Sequence, residues 1–214
     1  MKIDFVSDVA CPWCAVGLHA LEEALRRIGP QLPVELHFQP FELNPQMPPE
    51  GEDAAEHLAR KYGASPAQLA ATRQTLRERG AEVGFAFGER PRIWNTFDAH
   101  RLLHWAGLEG KQRELKHALL SAYHTHAQNP GSAEVLLQLC ADVGLDVARA
   151  RAILDSDEYA DAVRERERFY QARGIHSVPS VIIDDRHLIQ GGQPAEAFER
   201  ALRQLAADGS AVPQ

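Results

Sequence analysis

No run of apolar residues in this chain approaches the roughly 20 needed for a helix to span a bilayer. Basic side chains are outnumbered: 23 Lys and Arg against 30 Asp and Glu leave a formal charge of -7. That balance argues against a nucleic-acid surface and against a basic membrane patch. Cysteine is scarce too. Three in 214 residues do not make a disulfide scaffold. Two of them stand close together and one alone, which suits thiols with a chemical role in a reducing compartment. The start of the chain offers no apolar h-region and no small-residue cleavage site. Met1-Lys2-Ile3-Asp4-Phe5-Val6 runs straight into a strand-like stretch, so a cytoplasmic location is expected. Internal repeats and low-complexity stretches are also missing. What is present, 44% hydrophobic and 25% charged residues, is an ordinary globular composition, long enough for one or two domains.

The patterning supplies an order of elements. Ile3 to Ser7 reads as a strand. A helix follows with Leu18, Leu21, Leu25 and Ile28 on one face, stopped by Gly29-Pro30. Val34, Leu36 and Phe38 then alternate with polar residues, which predicts a second strand. Asn44 to Pro49 is turn material. Helices are expected over 52–62 (closed by Gly63), after the Ser65-Pro66 cap, from Asn95 or Thr96 to His104, over 111–126, after Ser132, and from Ser156 to Arg173. Val181-Ile182-Ile183, a turn at Asp184-Asp185 and His187 to Gln190 predict a hairpin. Gly191-Gly192 ends it, and Pro194 opens a last helix with Phe198, Leu202 and Leu205 on one face. The order is βαβ, a block of helices, then ββα. The outer pieces together are an α/β thioredoxin fold, with residues 1–47 and 175–214 as a discontinuous domain and 48–174 as a helical insertion.

Cys11-Pro12-Trp13-Cys14 falls at the first turn of the βαβ unit. A C-x-x-C in that context reads as a redox site. Cys11 meets the positive end of the helix, where unpaired N–H groups favour a thiolate, so it is the expected nucleophile. Cys14, one turn on, is placed to resolve a mixed disulfide. Pro12 fixes φ without losing a hydrogen bond, and Trp13 adds apolar surface for a substrate. Half of a zinc site is the competing reading, but no second ligand pair accompanies it and Cys140 is the remaining cysteine. No metal is therefore expected. Ser177-Val178-Pro179-Ser180 precedes the late strand. In a thioredoxin fold Pro179 is expected to be cis, turning the Val178 backbone toward the cysteines to pair with an extended substrate.

Other residues admit plainer readings. Asp8 either accepts a proton from the inner thiol or caps the helix entry, and capping is preferred. His176 either approaches the sulfurs or faces solvent. His100 and His104 have metal-compatible spacing but lack an intervening carboxylate, so packing between helices and domain is preferred. His124 and His126 are expected at the surface. Cys140 lies among leucines and reads as a core residue. Phe41, Trp94, Phe97 and Trp105 either line a cleft or fill the core.

Ser7 to Cys14, Phe41-Glu42-Leu43-Asn44-Pro45, Asn95 to Leu102 and Val178-Pro179 resemble the DsbA-like proteins of the FrnE group. The resemblance spans essentially the whole chain. It implies a thioredoxin fold with a helical insertion and a redox-active disulfide. Related 2-hydroxychromene-2-carboxylate isomerases and kappa-class glutathione transferases typically carry serine in place of Cys11. Both cysteines here leave a disulfide route open. Should glutathione bind, the resemblance points to Val178 for its cysteinyl backbone and to Gly192 and Gln193 for a carboxylate. The expected site is thus Cys11, Cys14 and Pro179, with Pro12, Trp13, Val178, Ser177, His176, Gly192 and Gln193 contacting substrate. Expected partners are thiol- or disulfide-bearing proteins or small molecules, with no resident cofactor and glutathione as an optional co-substrate, on a monomer or homodimer. A glutathione-dependent isomerase or transferase and a redox-independent chaperone-like binder are the alternatives.

Overall fold

A computed structural model describes residues 1–210. Its centre is β1 (Lys2–Ser7), where Ile3, Phe5 and Val6 are fully buried. β2 (Glu35–Pro40) runs parallel to it from Lys2↔Glu35 to Ser7↔Pro40. β5 (Ser180–Ile183) runs antiparallel on the other side, and β6 (His187–Gln190) completes the order β2-β1-β5-β6. Asp184 and Asp185, both at positive φ, make the hairpin turn that aspartate tolerates. A parallel pair needs a crossover, and α1 (Pro12–Ile28) provides it. Its buried residues include Leu18, Leu21 and Ile28, and Gly29 closes it at a φ of 76° with its N–H on the Leu25 carbonyl. α9 (Ala195–Ser210) packs Phe198 and Leu202 into the same core.

Between β2 and β5 lie α2 (Ala54–Tyr62), α3 (Pro66–Glu82), α4 (Phe97–Leu108), α5 (Gln112–His124), α6 (Ala133–Asp142), α7 (Val147–Leu154) and α8 (Ala160–Ala172). The short β3 (Glu52–Asp53) and β4 (Arg92–Ile93) pair antiparallel. The helical core gathers Leu102, Leu115, Leu119, Tyr123 and Leu136. Phe85 and Leu120, however, join Ile3, Phe5 and Leu18 in the sheet's core, so packing crosses from helical segment to sheet. We retain the division 1–47 with 175–214 against 48–174 as a proposal. Residues 211–214 of that division lie outside the described ones. Among the described residues no helix is long and apolar enough to cross a membrane.

Several boundaries differ from expectation. Glu52 and Asp53 do not begin a helix: Glu52 pairs with Ile93, and the Asp53 carboxylate accepts from the N–H groups of Ala55 and Glu56, so the helix starts at Ala54. The Ser65 cap forms as expected, reciprocated by Gln68. α7 was not foreseen. Asp146 caps it through the N–H groups of Ala148 and Arg149. Ser156 turns its hydroxyl back to the Ala152 and Ile153 carbonyls, and α8 begins only at Ala160, after Tyr159 at a φ of 63°.

Candidate active site

β1 ends at Ser7, and the chain turns through Asp8-Val9-Ala10 into α1. Cys11 takes the N-cap position in extended geometry (φ -86°, ψ 113°), with no side-chain cap, and Pro12 follows at the first helical position. Both thiols are free, Cys11 4% exposed and Cys14 fully buried. The Cys11 Sγ lies 3.6 Å from the Val178 carbonyl, and the Val178–Pro179 peptide is cis. The two segments that the sequence pairs as site halves therefore meet. Burial first, then the hydrogen bond and charge of neighbouring Cys11, push the Cys14 thiol well above its ordinary value, and the Lys116 ammonium pulls the other way.

Two glycines let these parts approach. A Cβ on Gly17 of α1 would stand 3.0 Å from the Pro179 ring and 3.4 Å from the Gly192 Cα. A Cβ on Gly192 would stand 3.1 Å from the Trp13 carbonyl oxygen and 3.3 Å from its indole. Pro179 is buried, while Pro12, Trp13, Val178 and Gly192 are half-buried at the rim. His176 and Ser177 are exposed, and no contact joins His176 to the sulfurs among the described residues. Gln193 turns its N–H to the Gly191 carbonyl and its amide to Gln190, so both donors stay within the turn.

The helical segment fixes the cysteine loop. Arg90 donates to the Ala10 carbonyl at 2.7 Å, and His124 Nε2 donates to the Val9 carbonyl at 2.8 Å. His124 is 1% exposed, which corrects the expectation of a surface histidine: the end of α5 turns inward onto the loop. Burial above all, with the Arg90 charge, holds it well below the ordinary histidine value, so the ring is neutral. His126 is exposed as expected.

Asp8 does not cap α1. Its Oδ1 accepts from the Ala10 N–H (3.0 Å) and the Thr96 hydroxyl (2.8 Å), and its Oδ2 from the Leu43 N–H (2.7 Å). It ties the cysteine loop to the segment after β2 and to the start of α4. His100 Nε2 stands 3.4 Å away, at ion-pair distance but outside hydrogen-bond geometry. Burial pushes the Asp8 carboxyl up, but His100 and the two N–H donors outweigh it and hold the group below the usual range. Of the two cap candidates Asn95 and Thr96, Thr96 takes the N-cap position but sends its hydroxyl to Asp8, and the Asn95 side chain accepts from the Phe97 N–H.

Besides Arg90, sequence reasoning missed Lys116, Arg79 and Tyr62. Lys116 of α5 is 1% exposed, and the charges of Cys14, Asp8 and Cys11 all reach it. Arg79 of α3 donates to the Gly192 carbonyl at 3.1 Å. Tyr62, at the end of α2, is 61% exposed and within reach of the Cys11 charge. Each comes from a helix remote in sequence from the cysteines, and only the buried lysine's odd place on the apolar face of α5, beside Leu115, Leu119 and Leu120, was visible beforehand. Cys140 is buried in the helical core, where burial pushes its thiol up to about 11. Phe41 and Trp105 fill separate cores rather than one cleft.

Comparison with known proteins agrees with the fold. The family model of the DSBA-like thioredoxin domain matches residues 2–203. The protein YwbO of Bacillus subtilis (strain 168) is 30% identical over 205 residues, covering 94% of this chain and 96% of YwbO. A solved structure described as a probable DsbA oxidoreductase of Streptomyces coelicolor is 34% identical, with a TM-score of 0.87 over 100% of this chain and 92% of that one. The cytosolic disulfide reductase DsbM of Pseudomonas aeruginosa, solved with GSH, shares the fold at 16% identity, with a TM-score of 0.67 over 97% of this chain and 100% of that one.

Proposed function

The chain belongs to the DSBA-like thioredoxin family, and from that membership we propose that it is a cytoplasmic thiol–disulfide oxidoreductase with Cys11 as nucleophile and Cys14 as resolving thiol. The observation that carries the reading is the Cys11 sulfur at the N-terminus of α1, 3.6 Å from the Val178 carbonyl beside cis-Pro179. A disulfide presented along the Val178 edge meets that sulfur. The Cys11 thiolate attacks one substrate sulfur, the substrate S–S bond breaks, and the released substrate thiolate takes a proton. Cys14 then gives up its proton and attacks the Cys11 sulfur of the mixed disulfide. The second substrate thiol leaves, the substrate has gained two electrons, and Cys11–Cys14 is left oxidised. The reverse sequence oxidises a dithiol, and rejoining to a different sulfur isomerises. Cys14 suits the second role because it is buried and its proton is held tightly until the mixed disulfide forms.

A small thiol such as glutathione serves as the regenerating reductant in this reading. The Val178 backbone would pair with its cysteinyl unit, and its carboxylate would meet the Gly192 turn beside Arg79. The likeness to DsbM, whose structure was solved with GSH, supports this choice. A Cys14→Ser variant tests the whole proposal. It should accumulate mixed disulfides through Cys11, visible as reductant-sensitive adducts, while the parent protein reduces insulin or refolds reduced ribonuclease. A folded parent with neither activity overturns the proposal. Turnover by Cys14→Ser with glutathione would instead support the isomerase or transferase alternative.

A further inference from the structure

A cavity of about 440 Å³ opens between β2 and helices α4, α5 and α8, away from the cysteines, which do not line it. Three cations line it: Lys116, 1% exposed, with exposed Arg113 and Arg166. Buried His100 and half-buried His104 stand among them, and burial with the Arg166 charge lowers His104. The acidic residue among its lining is Glu114, which faces Lys111 at 3.6 Å. Arg113 is held by Glu22. Arg166 has no carboxylate among the described residues, its guanidinium lying 5.5 Å from the Phe169 ring. Lys116 has neither a hydrogen bond nor an ion pair among the described residues. A buried ammonium without a direct ion pair is costly, and burial draws Lys116 below its ordinary value against the more distant charges of Cys14, Asp8 and Cys11. The remaining wall mixes His37, Gln39 and Gln112 with apolar Leu36, Phe38, Leu103 and Leu108, the last 67% exposed.

We propose that this cavity binds a small organic anion, with its carboxylate or phosphate at the Lys116 end, Arg166 as the second cation, and its apolar body against Leu108. The volume falls in the range of small-molecule pockets, roughly 300–1,000 Å³. Cations without partners on one wall concentrate an anion from solution. The site goes beyond the disulfide chemistry and does not depend on it, because binding is read without turnover. It does touch that chemistry at one point: an anion on Lys116 would offset the charge that reaches Cys14.

Calorimetric titration of the intact protein with sodium phosphate, and separately with sodium benzoate at matched ionic strength, tests the proposal. At least one probe should bind with a millimolar or tighter constant. Lys116→Met should weaken it roughly tenfold or more, as expected for loss of a charge-assisted contact. Arg166→Ala should weaken it severalfold, and Arg168→Ala, exposed on the same helix outside the cavity, should leave it unchanged. Binding of phosphate alone identifies a phosphoryl ligand, and binding of benzoate alone a carboxylate with an apolar body. Binding of neither probe, binding unchanged in Arg166→Ala, or equal weakening in Arg168→Ala overturns the proposal. Arg166 is exposed, so its variant keeps the test decisive even if Lys116→Met fails to fold.

Discussion

At the scale of single residues, two buried groups give opposite responses to pH. His124 is held neutral, well below its ordinary value, mainly by burial. The unfolded chain therefore binds a proton below about 6.5 that the folded chain refuses, and His124 lowers stability as pH falls through that value. Glu42 behaves inversely. Burial first, and then the neighbouring Glu167 carboxylate, raise it to about 7 despite Arg164. The folded chain keeps a proton that the unfolded chain loses above about 4.3, so this contribution is full at low pH and is lost as pH rises through 7. Urea unfolding of Glu42→Gln should show a flatter decline between pH 5 and 8 and greater stability than the parent at pH 8. His124→Phe should lose about 1–3 kcal/mol at neutral pH, because the Val9 carbonyl is left without its donor. It should also lose the steep acid limb. An unchanged acid limb in His124→Phe would show that other groups set it.

At the scale of elements, the site depends on how closely α1 meets the turns around it. Gly17 has no side chain, and Pro179 occupies the space one would need. Gly17→Leu should therefore force the Pro179 segment away from α1. Overpacking of this kind costs about 1–3 kcal/mol, and the Cys11–Val178 edge should suffer more than the fold does. Denaturant unfolding should show a modest loss of stability, and insulin reduction a much larger loss of rate. A variant with full activity would show that the close approach is not needed. The sequence made α1 legible through its apolar face and the Gly29 stop, and the hairpin through its β-branched run and aspartate turn. It did not reveal α7, whose eight residues are too short to set out a helical period, or the true start of α2, which the Asp53 carboxylate decides.

At the scale of the whole molecule, the proposed oxidoreductase reading puts the control of redox poise where helical segment and sheet meet. Stabilising the Cys11 thiolate makes the pair more oxidising, across a range of about -270 to -120 mV in such proteins. Trp13 brings no positive charge to that sulfur. Lys116 does bring one, but its ammonium is itself weakened by burial. Equilibration with glutathione should therefore give a potential below the DsbA end of that range, and a value at or above about -120 mV would contradict this account. The cysteine pair, its helix-start position and the βαβ–ββα order were determined by the sequence itself, because each rests on local chemistry: spacing, periodicity and φ restriction. The reading of Val178-Pro179 rested on the fold those patterns assign. Which distant side chains serve the site was decided by tertiary structure alone. His124, Arg90, Thr96 and Lys116 reach the cysteine loop only because α4, α5 and their connections pack against it. A buried carbonyl or carboxylate needs a donor, and the identity of that donor depends on which elements come together in space rather than on any spacing along the chain.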